Sequence, residues 1–341
     1  MKPTSSLTRA IIEATVDRGL REIDEDPQRS IRKLIDLGRQ FSNGRFVGEI
    51  YNIFQDLLRN EDSPYYYAIE HVMHCTSRTA LKHFGINMGY NSFTLGGKII
   101  RKREQECGCQ TPWAISVVID PSLPSSVSAD ELSDIVKQGI PLGIYVYYIP
   151  LVHNINYIND LLPIFKKYKN CCFLICLPDE ELGEKEAAII GENSNVMAFL
   201  DAYGDYVDAN SIMLRRLKAW YGAYGIYDDY SFFTDHFPGF CRKCISAECS
   251  FVLTVARRGS SVELIEQAMK RVKEERLSPA YPLFIFDLYG DAMQIKKLLS
   301  ESKCFLEIRE DRTVFTDHGS FGPIEGTPDL EKLFHETLPL K

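Results

Sequence analysis

The chain has 341 residues, of which 45% are hydrophobic and 25% are charged, the composition of a globular protein with a sizeable core. Its 39 basic and 47 acidic residues give a net charge of −8, which argues against a general nucleic-acid surface or an acidic-membrane surface. No apolar run reaches the roughly 18 residues of a membrane span, and the N-terminal stretch carries charges too early for a secretory signal. Ten cysteines without such a signal indicate reduced thiols and a cytoplasmic protein.

The segment up to about residue 110 is predicted to contain only helices. Ser6 can cap an amphipathic first helix, and Pro27 can occupy the first turn of a second one. Further helices are expected over 46–58, 65–74 and 77–83, because turn residues separate apolar stripes of helical period. These stripes need a partner surface, so we expect the helical region to pack on the rest of the chain.

Two features of this helical region invite a functional interpretation. His71 and His74 lie one helical turn apart, a spacing that could hold a metal, although a half-buried helix face explains them better. The glycine-rich stretch 85–97 lacks the GxxxxGK[ST] spacing of a phosphate-binding loop, and no predicted strand precedes it. We therefore interpret it as a loop that leads into a basic amphipathic helix.

The stretch 111–150 is predicted to form one β-α-β unit. Apolar runs over 113–119 and 143–149 are typical of strands buried on both faces of a parallel sheet. Between them, Ser128 can cap a helix, with Glu131 as its capping-box partner. In folds of this kind the loops after the strands carry the chemistry.

Strands and helices continue to alternate after this unit, which predicts an α/β fold: a helical N-terminal region followed by a partial or full (β/α) TIM-like barrel. Alternating residues about Glu310-Asp311 predict a C-terminal β-hairpin. The expected regions are 1–110, 111–302 and 303–341. The remaining strands are expected over 171–177, 196–203, 227–234, 251–257 and 283–289.

Several stretches resemble a group of bacterial and archaeal radical S-adenosylmethionine (SAM) proteins. They are FGINMGYNSFTLGGKIIRKRE, TPWAISVVIDPS, ELSDIVKQGIPLGIYVYYI and LTVARRGSSVELIEQAMKRVKEERLSPAYPLFIFDLYGD, so the resemblance extends over most of the chain. It implies a helical extension before a partial TIM barrel. It also implies a SAM-ligated [4Fe–4S] cluster in the loop after the first strand.

This sequence departs from that family at both halves of the cofactor site. The family carries a CxxxCxxC triplet after the first strand, whereas residues 121–126 are Pro-Ser-Leu-Pro-Ser-Ser. A Gly-Gly-Glu-Pro-like run should end the second strand, whereas residues 148–151 are Tyr-Ile-Pro-Leu. The loss of both motifs predicts a degenerate barrel for which SAM is not a cofactor.

One cysteine constellation remains, in a segment expected to be a loop between the fifth and sixth strands. Cys241, Cys244 and Cys249 have spacings compatible with a zinc or iron–sulfur site, and His236 or Asp235 could supply a fourth ligand. The alternative is a loop of unligated thiols.

Polar residues at the predicted carboxyl ends of strands form a second candidate site. In a barrel these ends face a common mouth, so their side chains could converge on a ligand. Each residue alone also has a structural explanation, such as a turn at Asp120 or solvation at Arg257. The candidate ligand-binding residues are Asp120, Tyr148, Asp201, Arg257 and Asp287.

Two hypotheses about function follow. The first is a non-catalytic radical SAM-like protein that binds a small molecule, a peptide or a partner protein at the barrel mouth. One form of this role is an accessory to an intact radical SAM enzyme. The second is a metal- or iron–sulfur-dependent enzyme that uses Cys241, Cys244 and Cys249. The first predicts no radical SAM chemistry, no nucleic-acid partner and no membrane span. The sequence identifies neither the ligand nor the oligomeric state.

Overall fold

The computed structural model describes residues 5–22, 29–33, 35–36, 52 and 55–340. The predicted helices that begin near Pro27 and Phe46 lie largely outside these residues. None of the helices in the described ranges is long and apolar enough to cross a membrane. The N-terminal helices are α1 (Ser5–Glu22), α2 (Pro64–Cys75), α3 (Arg78–Ile86), a π-helix (Asn87–Gly96) and α4 (Gly97–Cys107).

The glycine-rich stretch 85–97 is helical, so the prediction of a loop was wrong. Its glycines allow a close backbone approach: a Cβ on Gly96 would lie 2.3 Å from the carbonyl oxygen of Gly143. Asn87 anchors the same helix by donating its amide N–H groups to the carbonyls of Lys169 and Cys171 at 2.8 and 3.1 Å. The N-terminal helices therefore dock directly on the turns at the amino ends of the strands.

A ten-stranded sheet forms the centre of the molecule, in the order β10-β9-β8-β1-β2-β3-β4-β5-β6-β7. Strands β1 to β7 are parallel and sequential, β8 lies parallel beside β1, and β8, β9 and β10 are antiparallel. This confirms the α/β fold with a partial barrel and a C-terminal hairpin. The strands are β1 (Ala114–Val117), β2 (Val146–Pro150), β3 (Cys172–Cys176), β4 (Val196–Asp201), β5 (Tyr221–Tyr227), β6 (Phe251–Ala256), β7 (Phe284–Asp287), β8 (Leu306–Ile308), β9 (Thr313–Thr316) and β10 (Gly319–Pro323).

Helices lie between successive parallel strands and cover the outer face of the sheet. Tyr147 of β2 packs against Phe173 of β3, and Phe173 packs against Phe165 of the helix that connects these two strands. Since side chains alternate along a strand, the neighbouring positions point to the concave face. These helices are α5 (Ala129–Gly139), α6 (Ile158–Lys167), α7 (Glu184–Glu192), α8 (Val207–Arg216), α9 (Phe237–Ser246), α10 (Val262–Leu277), α11 (Leu288–Ser300) and α12 (Leu330–Thr337).

The fifth strand was placed wrongly from the sequence. It spans Tyr221–Tyr227, whereas a π-helix over Phe232–His236 begins within the range 227–234 that was predicted as strand. Gly222 and Gly225 make this strand difficult to recognise from the sequence, because glycine is uncommon inside strands. Both are required by packing: a Cβ on Gly225 would lie 2.5 Å from the ring of Phe240.

The barrel is not closed: β7 is an edge strand, whereas β8 pairs with both β1 and β9, and an ion pair covers the free edge of β7. Arg276 Nε donates to the carbonyl of Ile285 at 2.8 Å, and Asp291 Oδ2 accepts from the N–H of Asp287 at 2.7 Å. Arg276 and Asp291 also pair with each other. Together they satisfy backbone groups that a neighbouring strand would otherwise bond, which protects the edge from pairing with another chain.

Candidate binding site at the barrel mouth

A contiguous patch on the concave face near the carboxyl ends of β2 to β5 consists of four side chains: Tyr148, Cys176, Asp201 and Tyr224. The register places Pro150 beside Cys176 and Asp201 beside Tyr224. Tyr148 lies two residues before Pro150 in β2, so its side chain points to the same face. Tyr224 donates its hydroxyl to the carbonyl of Leu177 at 3.1 Å, which fixes its ring across the end of β3.

Burial disfavours the charged forms of the ionisable groups in this patch. Burial raises the pKa of the Cys176 thiol to about 12, with the Asp201 carboxylate as a second cause. Burial likewise raises the pKa of Asp201, and the Asp179 carboxylate adds to this effect, although the N–H of Tyr203 opposes it. Burial also raises the pKa of Tyr148 and Tyr224. A thiol with a raised pKa is a poor nucleophile, so the patch suits binding better than covalent chemistry.

The loop after β3 holds its two neighbouring loops in place. Asp179 accepts from the N–H groups of Asp205 and Tyr206 at 3.0 and 3.1 Å, which ties it to the loop after β4. Glu180 accepts from the N–H groups of Asn154 and Ile155 at 2.8 and 2.9 Å, which ties it to the loop after β2. These charge-assisted bonds organise the mouth before any ligand arrives.

Large apolar and aromatic side chains at this mouth remain open to solvent. Tyr203 is 45% exposed and Ile226 is 47% exposed, at the ends of adjacent strands. Tyr206 and Tyr230 extend the same surface at 39% and 37%. The Lys243 ammonium lies 4.9 Å above the ring centroid of Tyr203. Exposed aromatic patches with polar surroundings are typical of interaction sites.

The same region has a strong excess of negative charge. Residues 177–183, 201–206 and 228–236 contain eight carboxylates and no lysine or arginine. Nearby cations come from other elements: Lys243 of α9, and Arg257, which lies 3.5 Å from Asp228. The carboxylates are Asp179, Glu180, Glu181, Asp201, Asp205, Asp228, Asp229 and Asp235.

The loop after β1, where the family resemblance implies an iron–sulfur cluster, has no suitable ligands. Asp120 accepts from the N–H and the hydroxyl of Ser122 at 2.9 and 2.6 Å, and its own N–H donates to Ser126 Oγ. Arg312 donates to the carbonyl of Ser125 at 2.5 Å and to both oxygens of Glu131 at 2.8 Å. Hydroxyls and backbone carbonyls cannot replace soft thiolates, so this loop does not fit a cluster.

The five predicted mouth residues do not converge. Tyr148 and Asp201 lie on the concave face, as the register shows. Asp120 shapes a turn, and Arg257 is an exposed partner of Asp228. Asp287 is fully buried as the N-cap of α11, on the helix-covered face of the sheet.

Asp287 is nevertheless the most perturbed carboxyl of the predicted set. Burial raises its pKa to about 7, against the opposing effect of hydrogen bonds from its neighbours. Those donors are the N–H of Gly290 at 2.7 Å and the hydroxyls of Tyr227 and Thr254, both at 2.9 Å. All three partners belong to the protein, so the perturbation reflects a structural network.

The predicted cysteine loop is a helix, so that placement was wrong. Cys241 and Cys244 lie in α9, Cys249 follows it, and all three thiols are buried. Burial raises the pKa of Cys241 to about 12 and also raises those of the other two. His236 is exposed at the start of α9. The run Phe237-Pro238 begins a helix, and its apolar face carries the two cysteines inward.

Two groups of metal-type ligands come together among the described residues, and neither contains Cys241, Cys244 or Cys249. One consists of His71, Cys75 and Glu248, and the other of Cys107, Cys109 and His335. His71 is bonded to Ser250 at 2.9 Å and lies 3.4 Å from Glu248, so its ring faces the segment before β6, as expected of the half-buried helix face. A metal at Cys241, Cys244 and Cys249 stays a prediction.

Sequence reasoning missed Cys176 and Tyr224 as site residues. Cys176 is 5% exposed and looked like an ordinary core thiol within an apolar run. Tyr224 was lost because the fifth strand was placed too late. The available signal for this strand was the run Tyr221 to Tyr227, in which three tyrosines alternate with two glycines. Those glycines are compatible with a strand because close packing leaves no room for a Cβ at either position.

Comparisons with known proteins give only weak likenesses. No family model and no curated protein matches the chain. Streptococcus suis SuiB bound to S-adenosylmethionine aligns at a TM-score of 0.46 and 8% identity, over 62% of this chain and 60% of that chain. SuiB bound to its precursor peptide SuiA gives 0.45 and 9%, over 62% and 61%. The 3-dehydroquinate dehydratase of Geobacillus kaustophilus gives 0.37 and 13%, over 63% and 86%.

The alignment thus spans about three fifths of the SuiB chain. All these TM-scores lie below 0.5, so the fold rests on the strand order of the protein itself: an open (β/α) barrel of eight parallel strands, extended by an antiparallel hairpin.

Proposed function

We propose that this protein is a non-catalytic radical SAM-like barrel whose mouth binds a basic, apolar peptide segment of a partner protein. The observation that carries the proposal is the coincidence of eight carboxylates with exposed tyrosines in the loops after β3, β4 and β5. A surface of this charge favours cationic ligands and disfavours nucleic acid.

The aromatic residues define what else the ligand must contain. Tyr203 and Tyr206 present rigid rings, which bind apolar side chains with little loss of conformational entropy. Tyrosine faces also bind lysine and arginine side chains, as the contact of Lys243 with Tyr203 illustrates within the protein. A segment that alternates apolar and basic residues satisfies both features.

Preorganisation of the loops supports binding of an extended segment. Asp179 and Glu180 already bond neighbouring backbone amides, so little loop ordering is left to occur on binding. The concave face below is filled by Leu174, Met197 and Phe199, each at most 6% exposed. A ligand would therefore lie across the mouth instead of entering the barrel.

The donor chemistry of the β1 loop supports a non-catalytic role. Reductive cleavage of SAM needs an iron with an open coordination position, usually supplied by three thiolates in one short loop. Residues 121–126 are serine, proline and one leucine, none of which offers a thiolate, and Arg312 crosses this loop. Cys107 and Cys109 belong to the opposite end of the barrel. A cytoplasmic accessory to an intact radical SAM enzyme is the form of this role that the family resemblance favours.

A peptide selection tests the binding proposal. Full-length protein is immobilised and exposed to a random twelve-residue peptide library displayed on phage. We expect enrichment of peptides that combine lysine or arginine with apolar residues, with binding competed by free copies of the same peptides. A Tyr203→Ser variant should lose this enrichment, whereas Tyr67→Ser, which changes a tyrosine that is 65% exposed on α2, should keep it. Enrichment of acidic peptides, or equal loss in both variants, would contradict the proposal.

A second assay tests the non-catalytic part. Protein reconstituted with iron and sulfide and reduced with dithionite should form no 5′-deoxyadenosine from SAM. The alternative function, an iron–sulfur- or metal-dependent enzyme at Cys241, Cys244 and Cys249, predicts bound iron with acid-labile sulfide or zinc instead. Turnover that disappears in a Cys241→Ala, Cys244→Ala variant would establish that alternative.

A further inference from the structure

The last turn of α4 and the C-terminal helix α12 bring three soft ligands together at the amino end of the barrel, opposite the mouth. The Sγ atoms of Cys107 and Cys109 lie 3.1 Å apart. A ring nitrogen of His335 joins them, with all three ligand atoms within 4.8 Å of one another. Among the described residues, this is the group that contains two thiols.

The backbone fixes the two thiols on one side of a tight turn. Gly108 adopts φ +68°, a left-handed conformation that ends α4 and folds Cys109 back beside Cys107. Cys109 then forms an antiparallel β-bridge with Pro339, and the N–H of Gln110 donates to the carbonyl of Leu338 at 2.8 Å. The turn is held by chain that lies beyond α12.

A second contact fixes the histidine relative to the thiols. Arg103 of α4 pairs with Glu331 of α12 at 3.1 Å, four residues before His335 along the helix. Residues four apart share one face of a helix, so this ion pair turns His335 toward α4. Three ligands from two separate elements are thus held by contacts that do not involve a metal.

We propose that Cys107, Cys109 and His335 form a zinc site that joins the C-terminal helix to α4. Two thiolates and one imidazole are a ligand set that zinc prefers over magnesium or calcium. Tetrahedral zinc with Zn–S bonds of about 2.3 Å separates two sulfurs by about 3.8 Å, so the thiols need to move apart by less than 1 Å. Binding releases the thiol protons and leaves a fourth position for water.

The site is open to the ion while remaining anchored. His335 is exposed, Cys107 is half-buried and Cys109 is buried, so zinc can enter from the side of the histidine. The ion would close a loop between residues 107 and 335, about two thirds of the 341-residue chain. A metal that binds only the folded state stabilises it, so zinc should raise the melting temperature of the intact protein.

Zinc analysis of the full chain tests this site. Protein stripped with a chelator under reducing conditions is dialysed against zinc chloride, gel-filtered and analysed for metal. The wild type should hold about one zinc per chain, and a Cys107→Ser, Cys109→Ser variant should hold about tenfold less. His335→Ala changes an exposed residue, so its zinc content tests the site even if the double variant fails to fold. Cys75→Ser removes the thiol of the other ligand group and should leave the zinc content unchanged.

Two spectroscopic and chemical readouts identify the ligands. Cobalt in place of zinc should give thiolate charge-transfer absorption that the double variant loses. Zinc should also slow the alkylation of Cys107 by iodoacetamide, measured by peptide mass mapping. A wild type that holds no zinc, a double variant that retains it, or a Cys107–Cys109 disulfide that persists under reducing conditions would overturn the site.

Discussion

The two sides of the barrel mouth differ in how their charges are used. Beside β1 and β8, charged groups are matched within the protein: Arg258 pairs with Glu310 and Asp311, and Arg312 binds Glu131. Around β3, β4 and β5, eight carboxylates face few cations, and tyrosines lie open to solvent. On the first side the charged groups are paired within the protein, whereas on the second side carboxylates and tyrosines are available to a ligand.

A carboxyl group with a shifted pKa is therefore not the same as a carboxyl group that is available to a ligand. Asp287 has the strongly shifted pKa expected of a functional group, yet all its partners are protein groups and it has no exposed surface. Asp205 and Asp228 are exposed residues on the acidic side. Ligand binding should depend on the exposed carboxylates, and stability on the buried ones.

The largest effect is expected from Asp287→Asn. Its folded pKa of about 7 lies above an unfolded value of about 3.9, so the folded state keeps a proton that the unfolded state has released. Wild-type stability should therefore fall as pH rises from about 4 to about 7, then level off. Because asparagine carries no charge in either state, the variant should gain on the order of 3–4 kcal/mol relative to wild type over that window.

Urea unfolding at pH 4.5, 6 and 8 measures this difference. Asp134→Asn changes an exposed carboxyl of α5, and its difference from wild type should stay flat across the same pH values. A flat difference for Asp287→Asn as well would show that its carboxyl is not buried in the folded state.

Arg312→Met should have the next largest effect, because it breaks the self-matched side of the mouth. Arg312 bonds Glu131 through both carboxylate oxygens and also bonds the carbonyls of Ser125 and Gly326. Loss of these charge-assisted bonds from a half-buried site should lower the free energy of unfolding by about 2–3 kcal/mol. Lys332→Met removes an exposed helix pair and should change it by less than about 0.5 kcal/mol. Peptide affinity should not change in either variant.

A smaller effect is expected from Tyr203→Ser on the acidic side. The exposed ring of Tyr203 rests on Phe240 with centroids 6.0 Å apart, so it is a rigid contact surface. Its loss should weaken binding of a selected peptide about tenfold to thirtyfold, or roughly 1.4–2 kcal/mol. Fluorescence anisotropy measures this, with Tyr67→Ser as the matched control. An unchanged affinity would show that the ring of Tyr203 does not contact the peptide.

Much of the fold could be predicted from the sequence because its signals are local. The capping box of Ser128 and Glu131 forms as expected, and the apolar runs of β1 to β4 lie at the predicted positions. Errors occurred where glycine serves a distant contact. Gly96 meets Gly143, and Gly225 meets Phe240, so their local patterns indicated a loop and a break.

The candidate site was less predictable because it depends on register and on lateral contacts. Asp287 lies on the helix-covered face because it pairs with Thr254 of β6. A shift of the strand register by one residue would have placed its side chain on the concave face of the barrel. The capping of neighbouring loops by Asp179 and Glu180 joins residues from three loops. The excess of carboxylates after β3, β4 and β5 was visible in the sequence, but only the strand order shows that these loops are neighbours.

The most direct test of a binding site at the acidic side of the mouth compares two triple variants in one binding measurement. Asp205→Asn, Asp228→Asn, Asp235→Asn neutralises exposed carboxylates of the acidic side. Glu274→Gln, Glu301→Gln, Glu336→Gln neutralises exposed carboxylates near the ends of α10, α11 and α12, away from the mouth. Both change the net charge by the same amount, so only position differs.

Anisotropy titrations with one selected basic peptide at low salt give the result. We expect at least tenfold weaker binding to the first variant, and affinity within about twofold of wild type for the second. Equal weakening in both variants would mean that the peptide responds to overall charge alone, and no weakening in either would contradict a binding site at the acidic side of the mouth.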